Sequence, residues 1–161
     1  MKLVITMSRR YGTGASQIAQ ELSKRLGLPV YDKAIVMEKL GSDSYESEAS
    51  VIRELSKEPC IILGRCASEI LKDRRDVFNI YICADKEDRI CRIAEQEHIS
   101  YDEAAAKVKQ TDRERSAYYH EHTGKAWGDV NNYHMILNTS DLGIDRCADV
   151  LIQYFERKEF I

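Results

Sequence analysis

Five short apolar runs alternate along this chain with longer amphipathic stretches, and no other feature constrains the fold as much. The runs are residues 3–7, 29–31 (the weakest), 60–63, 77–83 and 134–137. They are continuous rather than alternating in–out, as strands covered on both faces must be. Helical spacing fills the intervals. Residues 15–26 place Ile18, Ala19, Leu22 and Leu26 on one face and stop at Gly27, a residue suited to a helix end. Residues 47–56 carry Val51, Ile52 and Leu55. Residues 86–98 carry Ile90, Ile93 and Ala94, and residues 145–155 carry Ala148, Leu151, Ile152 and Phe155. Ser100 followed by Glu103 has the form of a capping box. Strands alternating with helices predict an α/β fold of three layers, with a five-stranded parallel sheet between helices. A length of 161 residues suits one domain.

Composition excludes several classes. No apolar run reaches the roughly 18 residues of a membrane helix. The N-terminal run is too short for a secretion signal, so a cytoplasmic protein is expected. A net charge of −3 gives no general pull toward nucleic acid or anionic membrane. Five cysteines, an odd number without C-x-x-C spacing, suggest neither a disulfide framework nor a zinc site. His120 and His122, two apart on a helix, diverge too far to share a metal easily. The sequence leaves a homo-oligomer open.

In parallel α/β sheets ligands sit beyond the carboxyl ends of the strands, so the segments that follow the strands matter most. The first strand runs into Ser8-Arg9-Arg10-Tyr11-Gly12-Thr13-Gly14-Ala15-Ser16 and then a helix. Two glycines before a helix N-terminus form a natural phosphate cradle. Aligned on Gly14 and Ser16, the loop partly fits the G-x-x-x-x-G-K-[ST] pattern. Arg9 stands at the first glycine and Ala15 at the lysine, while Ser16 keeps the hydroxyl that meets Mg²⁺. Arg9 and Arg10 are near enough to supply the missing positive charge. The bland alternative is a glycine-rich turn with two solvated arginines.

Taken with five further stretches, this loop resembles the cytidylate kinase-like family, a branch of the P-loop nucleoside monophosphate kinases. Its members open with Ser-Arg-x-Tyr-Gly-Ser-Gly-Gly after the first strand, so the lysine-less loop belongs to the branch. The other stretches are Leu26-Gly27-Leu28-Pro29-Val30-Tyr31-Asp32-Lys33, Ile61-Ile62-Leu63-Gly64-Arg65-Cys66-Ala67, the helix start at Asp85-Lys86-Glu87-Asp88-Arg89, Tyr118 through Asp129, and Leu137-Asn138-Thr139-Ser140-Asp141.

The resemblance implies an ATP-dependent phosphotransferase using Mg²⁺, acting on a nucleotide or other small acceptor. Arg9, Tyr11, Gly12, Thr13, Gly14, Ala15 and Ser16 would hold the donor phosphates, with Ser16 on the metal. Thr139 and Ser140 would border the adenine. Asp32 would orient the acceptor, or simply cap the next helix. Arg65 would take an acceptor phosphate, or form a surface ion pair. Residues 100–128 would form a helical lid whose Arg113 and Arg115 diverge, one reaching phosphate. Arg89 and Arg92 share a helix face. With Tyr118 and Tyr119 they would contact substrate, while Arg10, Arg65, Arg113 and Arg115 would act in catalysis. Trp127 is expected to pack.

The interval 33–59, where such kinases usually carry an acceptor-binding insert, is short, and its polar stretch 41–47 resembles a linker. This leaves the acceptor unnamed. It also sustains an alternative: a nucleotide-binding module without efficient phosphotransfer, because the P-loop lysine is absent.

Overall fold

The computed structural model describes residues 3–40 and 45–161, so part of the linker-like stretch 41–47 lies outside the described residues. The strands are β1 (Val4–Arg9), β2 (Val30–Tyr31), β3 (Cys60–Leu63), β4 (Val77–Cys83) and β5 (Met135–Asn138). They form one parallel sheet in the order β2-β3-β1-β4-β5. The helices are α1 (Ala15–Leu26), α2 (Lys33–Leu40), α3 (Tyr45–Leu55), α4 (Ala67–Ile70), α5 (Lys86–Glu97), α6 (Tyr101–Thr123), α7 (Thr139–Leu142) and α8 (Ile144–Arg157).

The central strand shows how the layers arise. Along β1 side chains alternate between faces. Ile5 and Met7, continuing Leu3, meet Ile18 and Leu22 of α1 and Leu151 and Phe155 of α8. Val4 points the other way, toward Ile52 of α3, Ala67 of α4 and Leu71. Each fully buried Ile or Leu contributes roughly 1.5–3 kcal/mol of transfer free energy, so the doubly covered strand pins the sheet.

Two differences from the sequence reading bear on the site. Strand β1 runs on through Ser8 and Arg9, which pair with Tyr81 and Ile82 of β4, so Arg9 is a strand residue rather than a loop residue. The expected lid is one 23-residue helix, α6, capped at Ser100, whose Oγ accepts from the Glu103 N–H at 3.1 Å. Its Ala104 and Val108 bury against Ile90 and Ile93 of α5, with Tyr11 packed on the cluster. Among the described residues no helix is long and apolar enough to cross a membrane.

The strand order places β3 and β4 on either side of β1. Because all strands run parallel, the segments after β1, β3 and β4 emerge at one edge.

Candidate active site at the carboxyl edge of the sheet

The segment after β1 lines a small cleft of about 160 Å³. Gly12 (φ +84°) and Gly14 (φ +83°) both take left-handed backbone. A Cβ on Gly12 would lie 2.8 Å from the Arg89 carbonyl oxygen, a backbone atom that cannot yield, and one on Gly14 would strike Ile144. Gly14 is the N-cap of α1 and offers no side-chain cap. The Ala15 and Ser16 N–H groups are left for a ligand, at the positive end of the helix dipole, while the Gln17 N–H is taken by the Gly14 carbonyl. Ser16, in that turn, is exposed and lines the cleft.

The loop's carbonyls face the other way, and each has a donor. The Arg9 carbonyl accepts from Arg115 Nη1 (3.0 Å), Arg10 from Thr13 Oγ1 (3.0 Å), and Tyr11 from Arg89 Nη1 (3.3 Å). Gly12 accepts from Arg92 Nη1 (2.5 Å) and Thr13 from Thr139 Oγ1 (2.8 Å). Asp112 joins α6 to the loop. One carboxylate oxygen accepts the Tyr11 N–H at 2.8 Å and the other takes Arg89 Nη1 at 2.5 Å.

A larger cleft of about 370 Å³ opens beside it, lined by Lys33, Gly64, Arg65, Glu114, Tyr118 and Trp127 among others. Arg65 is held there by Glu48 of α3. Its Nη2 meets the two carboxylate oxygens at 2.5 and 2.7 Å, its Nε donates at 3.1 Å, and Tyr118 Oη donates to Glu48 at 2.6 Å. Glu48 is 1% exposed. Burial, reinforced by the bond to Glu48, raises the Tyr118 pKa, so the phenol stays protonated and keeps donating.

Arg9 and Arg115 line both clefts. Neither has an ion-pair partner among the described residues. Burial, then the neighbouring charges of Arg115 and Arg65, push the Arg9 pKa down to about 9. Asp32 offsets part of this charge. A guanidinium remains charged at neutral pH, so an anion in either cleft would relieve it further. Arg9 fits beside β3 because Gly64 has no side chain: a Cβ there would lie 2.6 Å from Arg9 Nη1.

The other residues singled out from the sequence find varied places. The Asp32 carboxylate accepts the Ile35 N–H at 2.9 Å and so caps α2. The Arg10 guanidinium lies 4.8 Å from the Trp127 ring centroid. Tyr119 and Trp127 are buried with Tyr81 and Cys66 in an aromatic cluster that backs the larger cleft, and burial pushes the Tyr119 pKa up to about 12. Arg113 is exposed, whereas Arg115 faces the clefts.

Arg89 and Arg92 share a face as expected, but they hold loop carbonyls. The Tyr11 N–H is taken by Asp112. Thr139, 4% exposed, spends its hydroxyl on the Thr13 carbonyl, and Ser140 Oγ accepts from the Asp85 N–H, so both act as scaffold here rather than as cleft lining.

Sequence reasoning missed Glu48, and it missed Asp112 as the partner of Arg89 and of the loop. A signal existed for each. Glu48 lies four residues before the buried Ile52, on the same face of α3. Asp112 continues the inward stripe Ala104, Val108, Asp112, Arg115, Tyr119 at helical spacing, from which Arg113 is displaced. The short interval 33–59 thus still supplies a wall of the larger cleft.

Comparison with known proteins agrees with this fold. The model of the cytidylate kinase-like family matches residues 4–43 and 37–141, two stretches that overlap over residues 37–43. A cytidylate kinase of Sulfolobus acidocaldarius is 25% identical over 177 residues, covering 98% of this chain and 96% of that one. An uncharacterized protein from Eubacterium ventriosum superposes with a TM-score of 0.93 at 24% identity, covering 98% of this chain and 99% of that one. A shikimate kinase from Bacteroides thetaiotaomicron gives a TM-score of 0.65 at 14% identity, with 96% and 98% covered.

Proposed function

The chain belongs to the cytidylate kinase-like family, and from that premise we propose that it is an ATP-dependent phosphotransferase acting on a nucleoside monophosphate or a similar small acceptor. One observation carries the reading: two clefts share a wall made by Arg9 and Arg115, cations that form no salt bridge among the described residues. The donor phosphates lie on the Gly12–Ser16 amides, the acceptor occupies the larger cleft, and the moving phosphoryl group passes the shared wall. Phosphoryl transfer asks mainly for positioning and for neutralisation of spread charge. Arg9 and Arg115 supply the charge, and the aromatic and Arg65–Glu48 walls hold the acceptor. The exposed Ser16 hydroxyl would hold Mg²⁺, which would supply charge neutralisation to the phosphates. The cytidylate kinase relative makes CMP the first acceptor to try.

The test is a coupled assay for ADP release with ATP, Mg²⁺ and a panel of nucleoside monophosphates, nucleosides and small alcohols. Acceptor-dependent ADP release that falls at least a hundredfold in Arg115→Ala, with Arg65→Ala raising the acceptor KM, is the expected result. ATP binding without acceptor-dependent release from any member of the panel would overturn transfer and favour the binding-module reading, which Ala15 at the lysine position supports.

A further inference from the structure

The charge that a P-loop lysine would bring to the phosphates is absent from Ala15, and the donors behind the loop indicate another source. We infer that Arg92, with Arg89 and Thr139, strengthens the phosphate cradle from behind, through the peptide groups of the loop. The inference rests on the proposal that donor phosphates sit on this loop.

Three consecutive peptide units carry it. The Tyr11 carbonyl accepts from Arg89, the Gly12 carbonyl from Arg92, and the Thr13 carbonyl from Thr139. All peptide bonds among the described residues are trans, so each unit points its N–H away from its carbonyl. The N–H groups of Gly12, Thr13 and Gly14 therefore face away from these donors, and among the described residues none has a protein acceptor. A donor on a carbonyl polarises its peptide and strengthens the N–H at the opposite end. A guanidinium adds its own charge, which reaches across the peptide in a site of low dielectric.

The three donors are graded. Arg92 has no ion-pair partner among the described residues and delivers a full charge. Arg89 shares its charge with Asp112, and Thr139 delivers only a dipole. Arg89 thus acts as a positioning residue that need not touch phosphate, whereas Arg92 also lines the small cleft and adds its charge there as well as through the Gly12 carbonyl.

Arg92→Gln keeps a side-chain donor and removes the charge, while Arg92→Lys keeps the charge. Calorimetric titration with ATP, pyrophosphate and adenosine reads the difference. The expected result for Arg92→Gln is about tenfold weaker ATP and pyrophosphate binding, the scale of one charged hydrogen bond. Adenosine affinity stays within twofold, and Arg92→Lys comes back within threefold of wild type. Thr139→Val gives a smaller loss, about threefold, in the same two anions.

A purely structural role would weaken all three ligands together. Arg92→Gln binding pyrophosphate as tightly as the wild type, or losing adenosine in parallel, overturns the inference and leaves the kinase reading intact. Wild-type protein that binds neither ATP nor pyrophosphate overturns both.

Discussion

The two clefts that meet at Arg9 are built by opposite means. Around the small cleft, side chains serve the backbone: three arginines and two threonines occupy five successive carbonyls so that amides can face a ligand. In the large cleft, side chains serve one another, and Arg65 is largely consumed by Glu48. A site made of amides depends on backbone shape, hence on glycines. A site made of ion pairs depends on charge balance, hence on which partner is removed. Donor and acceptor binding should therefore fail independently.

The sharpest way to break that contrast is Gly12→Ala. The added carbon meets the Arg89 carbonyl oxygen at 2.8 Å, and the residue must hold φ +84°. Left-handed strain and overpacking together cost about 2–5 kcal/mol. ATP binding should be lost by titration, with a lowered Tm, while the larger cleft keeps its ion pair.

Glu48→Ala comes next. It leaves Arg65, with a side chain only 16% exposed, without its carboxylate. Breaking such a pair costs about 3 kcal/mol, readable by urea unfolding, and ATP affinity should stay within twofold of wild type. If ATP affinity falls together with stability, the two clefts are not independent.

The smallest effect concerns Cys66, which lines the larger cleft. Burial pushes its thiol pKa up to about 12. Such a thiol is ionised to only about one part in ten thousand at pH 8. Iodoacetamide at that pH should label the exposed Cys91 and leave Cys66 unmodified by mass spectrometry. Rapid labelling of Cys66 would mean that the aromatic cluster opens.

Much of the fold was legible because its signals are local. Helix α1 begins and ends where the glycines and the apolar spacing put it, and Ser100 caps α6 as its sequence indicates. The glycine loop was legible for the same reason, since backbone freedom is a property of the residue itself. The work done by the arginines was not. Whether Arg92 meets a phosphate or a carbonyl depends on where α5 docks against the loop, 80 residues away along the chain. For Arg65 the sequence likewise left open an acceptor phosphate or a surface ion pair, because Glu48, 17 residues earlier, becomes its neighbour only after α3 packs on the sheet. Charged side chains are long, and their partners are chosen by tertiary structure.

Gly64 has a consequence of its own. The space it leaves empty is filled by the tip of Arg9, a flexible end that can swing aside. A side chain at position 64 would push that guanidinium aside and would have to hold φ +68°, so it would disturb the wall that the two clefts share. In the phosphotransfer proposed above, such a change would strike the passage between the two clefts before either cleft itself, so the divide between an enzyme and a mere receptor would run through one missing carbon.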